Sequence, residues 1–92
     1  MPVQPWKDED DVIARANDTK FGLSACVWSK DITRARNIGA ELDVGSVYIN
    51  SVQKPTFQGS FGGHKESGLG TEFRLAGLLE YCNAKSTYIN FV

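Results

Sequence analysis

Apolar positions recur at helical spacing in three stretches of this chain and alternate or cluster as strands in three others. Val12, Ile13 and Ala16 form a narrow stripe that predicts a helix from about Asp8 to Asn17, behind the extended start set by Pro2 and Pro5. Its first turn holds Asp8, Glu9, Asp10 and Asp11, the charge that a helix N-terminus favours. Four adjacent acids cannot face one point on a helix, so they read as a solvated first turn rather than a metal site. From Leu23 to Ser29 the pattern switches to alternation, with Leu23, Ala25 and Val27 on one face and Ser24, Cys26 and Trp28 on the other. Asp31 is placed to cap a second helix, about Ile32 to Leu42, whose apolar side carries Ala35, Ile38, Gly39 and Leu42. Gly45 breaks the chain, and Ser46–Asn50 is rich in strand formers. Leu75, Leu78, Leu79 and Cys82 predict a third helix from about Glu72 to Asn83, and Ser86–Val92 closes as a strand by composition.

Strand, helix and strand joined by short connections make a βαβ unit, which predicts parallel strands and a right-handed crossover. The fold class is therefore α/β: a small three-layer-type unit with about three helices and three to four strands, forming one domain over residues 1–92. The connection from Ser51 to about Gly70 is long for a compact domain, and loops of that length are usually functional or disordered. A chain this short buries only about two-thirds of its extended surface. Helix stripes and strand faces left open by it mark an interface, and a terminal strand with few charges and open backbone groups pairs with another chain. A homo-oligomer is the expectation.

Composition narrows the class. The net charge of −1 gives no electrostatic case for nucleic acid or for an anionic membrane surface. No apolar run approaches the roughly 20 residues that span a bilayer, and the N-terminus lacks the basic and apolar regions of a signal peptide. Cys26 and Cys82 read as reduced, packed thiols rather than a disulfide framework, so a cytoplasmic location is expected.

The run from Ser60 to Glu72 holds four glycines around Phe61, His64, Lys65 and Ser67. Read by itself it is either a tight strand-to-helix connection or a site whose backbone something approaches closely. Its Phe61-Gly62-Gly63-His64-Lys65-Glu66-Ser67-Gly68-Leu69-Gly70 order resembles the Phe-Gly-Gly-x-Lys-x-Ser-Gly-x-Gly signature of aldehyde dehydrogenases. Ala16 to Leu23 resembles that family's Ala-Asn-Asp-Thr-x-Tyr-Gly-Leu, and Gly45 to Asn50 resembles its Gly-x-Val-x-Ile-Asn. Gly77, Leu78, Tyr81 and Lys85 stand where its Gly-Leu-x-x-Tyr-x-x-x-Lys lies.

The resemblance implies an origin in the last part of the catalytic domain plus the C-terminal strand, with Met1-Pro2-Val3 where the family has Gly-Pro-Val. Family members are several times longer and carry an NAD(P)-binding domain, a nucleophilic cysteine and a general-base glutamate in segments that precede this one. By resemblance Phe61 is the aromatic residue beside the aldehyde pocket and Leu23 is the leucine near the nicotinamide. Residues 85–92, with Ser86, Thr87, Tyr88, Ile89, Asn90 and Phe91, resemble the oligomerisation strand that joins a neighbouring subunit's sheet. Ser60 departs from the usual proline and Thr71 from the common arginine, and the Gln53 to Ser60 stretch matches only loosely, so the resemblance does not carry over a substrate tunnel.

Aldehyde oxidation needs a thiolate, a hydride acceptor, an oxyanion donor and a base. Gly68-Leu69-Gly70 has no third glycine of a dinucleotide fingerprint, and Gly63-His64-Lys65 is not a phosphate loop. Neither cysteine matches the family nucleophile. No cofactor is expected for the isolated chain, although the full-length family uses NAD or NADP. Three readings follow: a truncated relative that does not oxidise aldehydes alone and acts through self-association or a partner; a repurposed cofactor-independent enzyme; or a fragment of a full-length NAD(P)-dependent enzyme. The second would catalyse a cyclisation, isomerisation or elimination of a small molecule. It would use His64 as acid or base, in a pocket formed by Phe61, Tyr48, Asn50 and Ser67. Against it stands the reading of His64 as an exposed loop residue, with Lys65 and Glu66 solvated.

Overall fold

The computed structural model describes residues 1–91; Val92, the last residue of the expected terminal strand, lies outside them. Asp8 starts the first helix, its carboxylate accepting from the Asp10 N–H at 3.1 Å, and α1 runs Glu9–Asn17. β1 (Phe21–Gly22) and β2 (Ser24–Val27) follow, then α2 (Ile32–Glu41), β3 (Ser46–Ile49), β4 (His64–Lys65) and α3 (Arg74–Leu79). Asp31 caps α2 by accepting from the Arg34 N–H at 3.0 Å, which satisfies one of the helix's unpaired donors.

β2 and β3 pair in parallel with Ser24 opposite Ser46 and Val27 opposite Ile49, so the βαβ unit forms as its pattern predicts. α2 packs on both strands and α1 packs on α2. Ala35 is wholly buried between α2 and its neighbours, and Ile13 is the buried residue of α1. Gly39 lets α2 approach the sheet: a Cβ there would lie 2.8 Å from Val47 Cγ1. β1 and β4 form a second, antiparallel pair, with Phe21 opposite Lys65 and Gly22 opposite His64.

In the last third of the chain the bounds of the third helix are corrected, and the expected terminal strand is unpaired within the chain. The third helix spans Arg74–Leu79, not Glu72–Asn83. Glu72 is held in an isolated antiparallel bridge to Phe61, and Phe73 takes a left-handed φ of 63°, so the helix begins late and has no side-chain cap. Ser86–Phe91 forms no strand. A strand needs a partner for its backbone groups, and among the described residues no neighbouring segment supplies one. Tyr88 and Phe91 are 91% and 94% exposed as a result. Both cysteines are also exposed rather than packed.

The accessible surface is 7954 Å², against about 5,300 Å² for a compact monomer of this mass. The radius of gyration is 18.3 Å, against about 12 Å for a globule of this length. Folding of this chain by itself leaves much of its apolar surface in water.

Candidate functional site

The glycine-rich run folds back on the βαβ unit through backbone hydrogen bonds. Phe61 and Glu72 exchange N–H and carbonyl at 2.8 and 2.7 Å, which closes the run into a loop. The Glu66 N–H donates to the Lys20 carbonyl at 2.9 Å, and the Gly22 N–H donates to Ser67 Oγ at 2.8 Å. Gly45 is required where this loop meets β3, since a Cβ there would lie 1.7 Å from the Gly62 carbonyl oxygen. Gly45 and Gly62 are thus explained by contact between two backbones, and Gly68 and Gly70 by positive φ values of 129° and 84°.

That closure leaves a shallow cavity of about 220 Å³ whose lining includes Leu23, Phe61, Ser67, Leu69, Thr71 and Glu72. It is smaller than the usual range for small-molecule sites, about 300–1,000 Å³. Of the residues singled out from the sequence, the structure brings Leu23, Phe61 and Ser67 together here. The Ser67 hydroxyl is already engaged by Gly22.

Tyr48 and Asn50 are placed elsewhere. Tyr48 stands opposite Cys26 in the parallel pair. The Asn50 side chain clamps Ser29, accepting from its N–H at 2.8 Å and donating to its carbonyl at 2.7 Å. That clamp fixes the turn after β2 against the end of β3, where Asn50 adopts a φ of 51°.

His64 does not line the cavity. Its Nδ1 lies 2.8 Å from Asp43 Oδ1 in the connection between α2 and β3. Lys65 reaches the same carboxylate, Nζ to Oδ2 at 3.5 Å, and donates to the carbonyls of Asn17 at 2.9 Å and Thr19 at 3.2 Å. Its side chain is 23% exposed and engaged by these acceptors, while the residue as a whole remains exposed. An ammonium at the C-terminal end of α1 meets carbonyls that have no partner within the helix, where the dipole is negative. Glu66 remains a surface group, paired with Lys20 at 3.5 Å.

Asp43 is the residue that sequence reasoning missed. Its N–H donates to Asn17 Oδ1 at 2.8 Å, while Asn17 Nδ2 donates to the Glu41 carbonyl at 2.8 Å. The hydrogen bond from His64 lowers the Asp43 pKa; partial burial works against this, and Lys65 adds to the lowering. The one available signal was an acid in the short Leu42-Asp43-Val44-Gly45 connection, and nothing in its spacing names His64 or Lys65 as partners. Among the described residues no group of three or more His, Cys, Asp and Glu side chains could hold a metal ion.

A second cavity, about 340 Å³, opens between α1, α2 and β2, with Trp6, Ile13, Trp28, Ile38 and Leu42 in its lining. Its charged member, Arg34, is paired with Glu9. None of the sequence-predicted site residues lies in it.

The profile of the Aldehyde dehydrogenase family matches residues 1–87. Aldehyde dehydrogenase LUC3 of a Fusarium species is 44% identical over 84 residues, which cover 91% of this chain and 18% of that protein. Betaine aldehyde dehydrogenase of Brucella anthropi is 42% identical over 89 residues, covering 97% of this chain and 18% of that protein. Among solved structures, the NAD+ complex of an aldehyde dehydrogenase from Bacillus cereus superposes with a TM-score of 0.88 at 34% identity, over 97% of this chain and 18% of that one. The chain therefore spans under a fifth of the length of these relatives.

Proposed function

This chain belongs to the aldehyde dehydrogenase family, and from that premise we propose that residues 1–92 work by packing against further protein, not by oxidising aldehydes alone. The observation that carries this reading is the open apolar surface. Leu75, Leu78 and Leu79 on α3 and Tyr88, Ile89 and Phe91 beyond it are all exposed, on a molecule whose surface far exceeds that of a compact monomer. The covering partner is a second copy or another polypeptide, and Ser86–Phe91 is the segment that gains strand hydrogen bonds from it.

Within such an assembly the Leu23 and Phe61 side chains supply one wall of an aldehyde pocket. The nucleophile, the base and the NAD or NADP site belong to the remainder of the catalytic unit. The isolated chain then requires no cofactor. A cofactor-free cyclisation, isomerisation or elimination by His64 has less support, because the imidazole is turned to Asp43 and away from the Phe61 cavity.

Two measurements on the purified chain test this. Native mass spectrometry at micromolar concentration should show dimers or larger species; a monodisperse monomer overturns self-association. A panel of aldehydes with NAD+ or NADP+, followed at the nicotinamide absorbance, should show no turnover. Cofactor-dependent oxidation overturns the claim that these residues are catalytically silent alone.

A further inference from the structure

We propose that the Asp43–His64 contact is a pH-responsive latch on the glycine-rich loop, tighter while the imidazole carries its proton and looser once that proton is lost. The consequence for Phe61 rests on the aldehyde-pocket reading, whereas the latch itself rests on contacts within this chain.

Asp43 is aimed at the loop from two directions. Asn17 at the end of α1 accepts from its N–H, and the connection leaving α2 carries it. Its two carboxylate oxygens then face the two residues of β4, His64 at 2.8 Å and Lys65 at 3.5 Å. The same strand is joined to β1, and the next two residues bond Lys20 and Gly22. Polar contacts dominate the attachment, since no residue between Ser51 and Arg74 is fully buried. A change in one charged contact therefore has little apolar packing to mask it.

The charged groups around the imidazole are Asp43 from the α2–β3 connection and Lys65 beside it on β4, with the Lys20–Glu66 pair flanking β1 and β4. Of these residue types only histidine ordinarily changes charge in the neutral range. The His64 hydrogen bond and Lys65 keep the Asp43 carboxylate ionised to lower pH than usual. An imidazolium at this position adds charge attraction to the hydrogen bond, whereas a neutral ring can still donate through Nδ1 but without that attraction. The hydrogen bond persists and the charge attraction is lost, so the latch weakens with rising pH. Because both side chains are half-exposed and screened by water, the effect on loop opening is about two- to fivefold.

The test is amide hydrogen exchange on the full chain in its native assembly, corrected for intrinsic exchange rates, at about pH 5.5 and about pH 8. The Glu66 and Ser67 amides report the loop, since they donate to the Lys20 and His64 carbonyls. Wild type should show about two- to fivefold greater protection at the lower pH. His64→Gln, which keeps a hydrogen-bonding side chain without a titrating group, should show equal protection at both. Should that variant not fold, wild type at about 1 M salt replaces it, where the pH difference should shrink because the charge is screened. Equal wild-type protection at both pH values overturns the latch, as does a pH difference that survives in His64→Gln or at high salt. Aldehyde turnover and oligomer mass do not enter this readout, so the latch and the proposed function can fail separately.

Discussion

Between Glu9 and Asn50 the chain buries Ile13, Gly22, Ala35 and Gly39 and starts both helices with carboxylate caps; from Ser51 to Phe91, Gly77 alone is buried and α3 has no side-chain cap. The first region is a small packed unit whose parallel strands are covered by α2. The second is attached to it by backbone pairing and by the Asp43, Lys65 and Ser67 contacts, with its large apolar side chains turned outward. The difference teaches where the missing stability lies. The first region at least half-buries Ile13, Ala35, Ile38, Val47 and Ile49, though Phe21, Trp28 and Ile32 stay exposed, while the second leaves its large apolar side chains open for the partner proposed above.

The largest expected effect comes from striking the seam between the two regions. Gly45→Ala pushes a methyl into the Gly62 carbonyl, so the loop must move off β3, at a cost of about 3 kcal/mol. Exchange protection at Glu66 and Ser67 should collapse while the circular-dichroism signal of α1 and α2 stays. Loss of both together would show that the two regions are one cooperative unit. A smaller effect tests the first region alone. Asp31→Ala removes the α2 cap and should lower stability by about 1 kcal/mol in a denaturant melt. No change would mean that packing of Ala35 and Gly39 fixes α2 without its cap.

The smallest effect on stability is expected in the second region. Leu78→Gln lies on the exposed face of α3 and should shift the melting of the unassembled chain by less than about 0.5 kcal/mol. Its native mass spectrum should nevertheless move toward monomer if α3 is part of the proposed interface. An unchanged oligomer distribution would remove α3 from the interface and leave the tail beyond it.

How much was legible follows the same division. α1, β2, α2 and β3 were readable to within a residue or two because their causes are local: a stripe, an alternation, a carboxylate three residues before an amide. The loop's identity was readable from its ordered glycines. Its geometry was not, since β1 and β4 are two residues each and no periodicity exists over so short a run. Lys65 looked solvated because a lysine in a glycine-rich loop has no local partner; its acceptors lie 46 and 48 residues earlier. Tyr48 and Asn50 looked like pocket residues because each can supply hydrogen bonds, yet the Asn50 amide is occupied by Ser29 across the parallel pair.

The sequence by itself determined the family, the helices and the parallel βαβ unit, because each is written in neighbouring residues and their spacing. Only the tertiary structure decided that Asp43 is the hub that His64 and Lys65 share, and that Phe61 meets Leu23 with Ser67 already engaged. Those contacts join residues more than 20 positions apart, through single polar atoms and close backbone approach, and a linear pattern of apolar and polar positions carries no record of which distant atoms a fold brings within 3 Å.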